Sequence, residues 1–410
     1  MKIALLIFSL LISLPAFTQQ ESTVTAGLQD SASLSSRLNW RQLKQFRRQM
    51  RRDSIRANKK IWMSILGGPS YTPEASLGIG GAVLMTFRMN RNDSVSQRSF
   101  IPVGFNVSIN GTFAAAGAGT LFFNENKFRI YVKYGYRTEP AYFYGIGYNE
   151  ISDAERLKDT YGKDSVTFHK AAVQFFPRFA YEVRKNLFVG TLLDFNYTYS
   201  SEMPQWMERN PLVKKYGSRY HNIGLGLLLQ YDTRDDVATP FDGLLLSAIG
   251  TIYGDYLGGD FNYETLNLEY RQFRKLFGRR SVLAWTAMTQ IAMDNVPYTE
   301  LPGFGNPFDL RGYTLGKYRD KSMAYGIVEY RHMFMSQEAY ERGAFWSKFG
   351  GVAWIGTGTV GNTPADWDKW KLNYGIGLRI QLQPRKNFRL DIGKEPGQKW
   401  GIYLNMTEAF

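Results

Sequence analysis

Side chains able to do covalent or metal chemistry are scarce in this chain. Of 410 residues none is cysteine and only three are histidine, His169, His221 and His332. Without cysteine there is no disulfide framework, no thiolate-ligated zinc or cluster and no thiol nucleophile. The histidines are scattered, with no HExxH or similar metal spacing, and none adjoins a nucleophile motif, so a hydrolase has nothing to stand on. The sequence therefore reads as a non-enzyme, with no catalytic residue, metal or cofactor. Charge is the abundant chemistry: 50 Lys/Arg against 36 Asp/Glu, a formal +14. Residues 37–60, RLNWRQLKQFRRQMRRDSIRANKK, hold ten Lys/Arg against the single Asp53, which is +9 of that excess. Trp40, Leu43, Phe46, Met50 and Ala57 recur there at near-helical spacing, so a short basic helix would carry one apolar stripe. Its other faces would present Arg41, Lys44, Arg47, Arg48, Arg51 and Arg52. Such a segment suits an anionic lipid surface or an acidic protein partner, or it is a solvated basic tail. Nucleic acid would also suit the charge, but an exported chain meets no genome.

Export is read from the first 18 residues. MKIALLIFSLLISLPAFT has an early lysine, a short apolar run and small residues placed for cleavage before Gln19, the pattern of a removed secretory signal. Residues 19–36, QQESTVTAGLQDSASLSS, are too polar to offset the entropy of ordering them and read as a disordered linker. Mean hydropathy is −0.32 and the only long apolar run is the N-terminal one, so helical membrane spans of about 20 residues are excluded.

From residue 61 to 410 the texture is all-β. Short alternating segments follow one another between Gly, Asn, Asp and Pro clusters, without a long amphipathic helix. Ile223, Leu225, Leu227, Leu229 and Tyr231 share one face of a strand, and Gly224, Gly226, Gln230 and Asp232 the other. Tyr374, Ile376, Leu378, Ile380 and Leu382 alternate likewise with Gly375, Gly377, Arg379, Gln381 and Gln383. Bulky apolar residues on one face, with glycine, amide and charge on the other, suit a transmembrane antiparallel β-barrel with lipid outside and water within. The alternation predicts sixteen strands, near 76–89, 98–109, 111–124, 127–138, 141–149, 164–184, 186–199, 218–232, 242–256, 261–274, 279–294, 322–334, 345–360, 371–383, 387–395 and 399–410. An even number returns both ends to the periplasm. The long connections 150–163, 200–217, 295–321 and 361–370 then fall on the outer side, as in bacterial outer-membrane barrels. The last segment, KWGIYLNMTEAF, puts Trp400, Ile402, Leu404, Met406 and Phe410 on one face and ends on an aromatic residue, a pattern that looks like the terminal strand signal of outer-membrane assembly.

Residues 304–313, FGNPFDLRGY, bring Leu310, Arg311, Gly312 and Tyr313 together in a long outer loop before a strand ending VEYRHMF. This resembles the [V/L]RG[F/Y] loop of the BamA/TamA superfamily, the bacterial surface antigen family. Residues 231–243, YDTRDDVATPFDG, look like its D-x-R-D...P-x-x-G periplasmic turn, in which Asp232, Arg234 and Asp235 would form a local charge network, while Pro240 and Gly243 fix the chain. The resemblance spans roughly residues 70–410. It implies a loop folded back into the barrel with its guanidinium on acidic inner-wall side chains. Arg311 is a planar donor fork suited to carboxylates, and Gly312 permits close backbone approach. Alternation turns Glu329 and Asp391 inward, which makes them the expected partners. Where the family often has F-x-D-x-G in the thirteenth strand, this chain reads Trp354-Ile355-Gly356-Thr357-Gly358.

The resemblance departs upstream, because some fifty mature residues before the barrel leave no room for a POTRA domain of about eighty. The expectation is a POTRA-less barrel in the outer membrane of a Gram-negative bacterium, embedded in its lipid. It would assist insertion or transport of protein or lipid, with a seam that opens between a first strand near Gly78 to Phe87 and the last, Trp400 to Phe410. A periplasmic or outer-membrane protein partner would meet the basic segment. The alternative function is a passive pore or anchoring barrel.

Overall fold

A computed structural model describes residues 61–72, 76–90, 96–237, 239–276, 280–383, 386–396, 400–406 and 408–410. The signal, the linker and the basic segment with Arg41, Lys44, Arg47, Arg48, Arg51 and Arg52 lie outside these residues. The strands in chain order are β1 Ile61–Thr72, β2 Ser76–Phe87, β3 Ser99–Ser108, β4 Phe113–Phe123, β5 Phe128–Tyr142, β6 Thr167–Arg184, β7 Leu187–Ser201, β8 Arg219–Asp232 and β9 Gly243–Tyr253. They continue with β10 Tyr263–Lys275, β11 Ser281–Asp294, β12 Gly303–Phe304, β13 Tyr318–Arg319, β14 Ser322–Met333, β15 Phe349–Gly361, β16 Lys371–Gln383, β17 Lys386–Lys394 and β18 Trp400–Met406. All but β12 and β13 form one 16-stranded antiparallel sheet in sequence order, while β12 and β13 pair with each other inside the 295–321 connection.

The sheet rolls into a barrel whose terminal strands lie side by side, with Cα atoms of β1 and β18 within 8 Å. Among the described residues no ladder joins that pair, so the ordered pairing stops at the seam. A barrel is the form in which strands satisfy their backbone groups in lipid. On β8 the outward Leu225, Leu227 and Leu229 are exposed and the inward Asn222, Gly224 and Gly226 are buried, in the alternation read from sequence.

The strand number agrees with expectation because two miscounts offset each other. Ile61–Thr72 forms the first strand, in full register with β2 from Ile61↔Phe87 to Thr72↔Ser76, so the seam lies at β1 and not near Gly78 to Phe87. Its sequence, IWMSILGGPSYT, is interrupted by Gly67-Gly68-Pro69, which breaks the alternation. Conversely, the segments expected at 127–138 and 141–149 are one strand, Phe128–Tyr142. Glu139-Pro140 reads as a break, yet the ladder to β6 continues through Pro140↔His169. The connection expected at 150–163 is largely helical: α1, Gly147–Tyr161, buries Ile151 and Ala154. Two short helices, α2 Gln205–Arg209 and α3 Pro211–Tyr216, follow β7, and α4, Gln337–Glu341, follows β14.

The connections 143–166, 202–218 and 295–321 lie at one end, the outer one, and the short 124–127 and 185–186 at the other. The final segment departs from the expected face. Trp400 and Ile402 point outward and are exposed, but β18 ends at Met406 and Phe410 is buried inside the barrel. Its ring lies 6.3 Å from Phe273 and 5.0 Å from the Arg331 guanidinium.

Candidate functional site

The 295–321 connection does not remain at the outer rim. It descends into the lumen and is stiffened by aromatic packing: Phe304 stacks on Tyr318 at 5.3 Å, and Tyr313 meets both rings edge-on. At its tip Asp309 accepts from the backbone N–H groups of Gly305 (2.9 Å) and Asn306 (2.8 Å), closing a tight turn that presents Leu310 to Tyr313. Burial pushes the Asp309 carboxyl up to about 7, against the pull of these donors and of Arg311.

Arg311 is fully buried. Its Nη1 donates to Asp391 Oδ2 (2.6 Å) and its Nη2 to Glu329 Oε2 (2.5 Å), so one fork bridges β14 and β17. The guanidinium lies 3.6 Å from the Trp354 ring centroid, a cation over an aromatic face. In the WIGTG stretch, Trp354 supplies that face while Gly356 and Gly358 leave the space occupied by Leu310. Thus Gly356 stands where the pattern has its aspartate and leaves that place to Leu310, while Trp354, at the aromatic position of the pattern, supplies the stacking surface. Asn373 completes the grip: it donates to the Arg311 carbonyl and accepts from Trp354 Nε1 at 2.9 Å.

The backbone of the tip rests on two members of a glycine row, Gly393 and Gly401, while the third, Gly375, lies under the Trp354 ring. Gly375, Gly393 and Gly401 stand opposite one another across β16, β17 and β18. A side chain on Gly393 would collide with the Arg311 carbonyl, and one on Gly401 would press on Gly312 Cα. Gly312 has φ +112°, a conformation that strains any other L residue, and its N–H donates to Tyr403 Oη at 2.9 Å. Tyr313 Oη donates to the Leu372 carbonyl at 2.6 Å. The loop therefore touches the last strand directly, next to the seam.

A wider charge network surrounds the tip. Arg311, Arg331, Arg379 and Arg389 are buried with Glu329, Asp391 and Glu408. Arg331 donates to Glu329 (2.8 Å), Arg379 to Asp391 (2.5 Å) and to Glu408 (2.9 Å), and Arg389 holds the loop through the Pro307 carbonyl (2.5 Å). Glu408 thus carries the segment after β18 into the same network. Sequence reading named Arg311, Glu329 and Asp391, and the structure brings them together. It missed Trp354, Asn373, Arg331, Arg389, Tyr403 and Glu408 as members of the site. Glu329-Tyr330-Arg331 and Arg389-Leu390-Asp391 did carry a signal, because opposite charges two apart share one strand face.

The turn motif stands apart from this site. Asp232 accepts from Arg234 Nε (2.9 Å) and Nη2 (3.1 Å) and from Arg129 Nη1 (3.2 Å), and the Arg129 guanidinium lies 3.9 Å from the Phe188 ring centroid. Asp235 accepts from the N–H of Phe241 at 2.8 Å, Pro240 is buried, and a side chain on Gly243 would strike the Thr233 carbonyl. His169, His221 and His332 are not brought together. No group of three or more His, Asp or Glu suited to a metal occurs among the described residues.

The sequence matches the Omp85 superfamily domain over residues 102–410. The structure resembles BamA from Haemophilus ducreyi lacking POTRA domains 1-3, with TM-score 0.55 and 13% identity over 84% of this chain and 70% of that one. It also resembles CdiB from Escherichia coli, with TM-score 0.54, 11% identity, and 85% and 63% coverage. CdiB from Acinetobacter baumannii gives TM-score 0.51, 10% identity, and 85% and 60% coverage. At such identities the likeness to solved structures is one of fold, and this chain spans less than two thirds of either CdiB chain. No curated protein matches the sequence.

Proposed function

The chain belongs to the Omp85 superfamily, as a barrel of the Gram-negative outer membrane, and from that premise we propose that it assists insertion or transport of protein or lipid through its β1/β18 seam. It acts without an enzymatic step. The Arg311 loop serves as an internal clasp: it holds the last three strands in place, so that release of its tip precedes opening of the seam. The observation that carries this reading is the placement of Gly312 against Gly401 and Tyr403 on the seam strand, where ordered pairing is missing among the described residues. Tyr403 and the Glu408–Phe410 segment tie β18 to the clasp from inside. The basic segment 37–60 is the proposed contact for an acidic partner or anionic lipid.

The absence of native cysteine makes the test clean, because an introduced cysteine pair across β1 and β18 is the only possible disulfide. Cross-linking is expected to block the barrel's contribution to growth and outer-membrane assembly, with recovery on reduction. Undiminished function of the cross-linked barrel would sink the gate. A passive pore is the second reading, favoured by a cavity of about 230 Å³ lined by β6–β11 side chains and by Glu300 and Pro302. Planar-bilayer recording separates the two: a steadily conducting barrel supports the pore, and rare openings support the clasp.

A further inference from the structure

The connection 334–348, at the periplasmic end between β14 and β15, differs from the short connections 124–127 and 185–186 at the same end. Residues 124–127 (Asn-Glu-Asn-Lys) and 185–186 (Lys-Asn) are polar, whereas this connection displays Phe345 and Trp346, 60% and 65% exposed. Their rings are not splayed at random. Phe345, Trp346 and the outward Phe349 touch one another, with centroids 5.3–5.4 Å apart.

The segment beneath them is held firmly. Ser336 caps α4 by accepting from Ala339 N–H, and buried Ser347 donates to the Ala344 carbonyl at 2.5 Å. Arg280 lies across Tyr340 at 4.8 Å and ties the Met335 carbonyl to Gln381. A rigid loop that keeps two large rings in contact with solvent has no reason to do so in water. The cluster also continues an established surface. Tyr330 and His332 on β14 and Phe334 just past its end form an outward ladder of rings, spaced 6.1 and 6.5 Å, beside the exposed Val328 and Ile355 that face lipid. Phe334 brings that ladder to the aromatic knuckle. Exposed Arg342 and half-buried Lys348 flank it, balanced in formal charge by Glu338 and Glu341 of the same connection, so the rings rather than a net charge carry the affinity for lipid.

We propose that residues 334–349 form a membrane foot, which inserts Phe345 and Trp346 into the periplasmic leaflet at the boundary between phospholipid headgroups and acyl chains. The occupant of the aromatic surface is phospholipid, not a protein. The inference rests on the barrel's place in the membrane and is independent of the clasp and the seam. Strand-end aromatics only mark the edge of the apolar band. A foot borne on a connection projects beside the wall, and so fixes the depth and tilt of the side that carries the clasp.

The full chain would be reconstituted in phosphatidylethanolamine/phosphatidylglycerol vesicles with bromine placed near the headgroup or near the acyl-chain end. The difference in emission between the protein and Trp346→Phe isolates this one of nine tryptophans. The expected difference signal is blue-shifted, shielded from iodide, and quenched about two-fold more by headgroup-proximal than by terminal bromine. A second variant, Phe345→Ser with Trp346→Ser, is expected to keep its thermal midpoint in detergent and lose several degrees in vesicles. The proposal is overturned if the Trp346 signal is insensitive to bromine, is as open to iodide in vesicles as a free indole, or becomes shielded only when barrels self-associate or a protein is added.

Discussion

The two halves of the lumen follow the same strand alternation and end in opposite states. Along β14–β18 the inward side chains include arginines, carboxylates, Trp354, Asn373, Tyr403 and a row of glycines, and the Arg311 loop packs onto them with Arg311, Arg379 and Arg389 almost fully buried. Along β6–β11 the inward residues include Arg178, Asp194, Thr251, Tyr253, Asn267 and Gln290, and a cavity of about 230 Å³ is left between them. The second wall pairs several of its polar groups laterally, as when Tyr253 Oη donates to Asp194 (2.8 Å) and Gln290 to Asn267 (2.7 Å), and the start of the same loop meets it through Glu300 and Pro302 at the cavity and Tyr298 on Ser200. The first satisfies much of its charge through the loop. Charge density alone therefore does not close a lumen. Closure needs a wall with side chains removed where a loop backbone must lie, and partners placed where its cations arrive, Glu329 and Asp391 for Arg311 and Glu395 for Lys317.

This contrast can be broken most severely at the glycine row. Gly393→Val puts a branched side chain where the Arg311 carbonyl sits, so the loop loses its seat with all its contacts. Frequent channel openings and protease cleavage within 295–321 are expected, while Asn267→Ala in the wet wall changes neither. Loop release by both variants would show that the walls are not distinct. Arg311→Ala is expected to cost about 3 kcal/mol, the lower end for a broken buried pair, because Glu329 keeps Arg331 and Asp391 keeps Arg379. Thermal unfolding and opening frequency measure it, and an unchanged barrel would argue that the wall and not the loop carries the closure. Tyr403→Phe leaves the Gly312 N–H without its acceptor at a cost of about 1 kcal/mol, read as a modest rise in openings without loss of folding.

The smallest effect concerns pH. Asp309 binds its proton more tightly in the seated loop than in a released one, since burial raises its carboxyl to about 7. That contribution is complete below the ordinary carboxylate range near about 4 and disappears as pH rises through about 7. Protease protection of the loop should be better at about pH 5 than about pH 8, with Asp309→Asn removing the difference. An identical pH profile for this variant and the parent would assign the dependence elsewhere.

Much of the barrel was legible residue by residue. Alternation on β8 and β16 is strong because lipid and lumen impose opposite demands on successive side chains, and period 2 records both. It fails where a residue type signals a break that the ladder overrides, as at Pro140 in β5 and Gly67-Gly68-Pro69 in β1. It also fails where α1 supplies only two buried residues, Ile151 and Ala154, as evidence of its period. Phe410 misled for a related reason: alternation carries no information once β18 has ended at Met406, and the ring is buried inside the barrel.

By itself the sequence determined an antiparallel barrel with its apolar face outward, the inward direction of Glu329 and Asp391, and a loop bearing a forked cation. These follow from local periodicity and side-chain chemistry. Only the tertiary structure decided that the loop reaches the inner wall, that Trp354 lies under Arg311 and over Gly375, and that Gly393 and Gly401 lie side by side beneath the loop backbone. Those facts depend on strand register and on the path of a 27-residue connection between β11 and β14. Register joins residues far apart in the chain, and no short pattern encodes it.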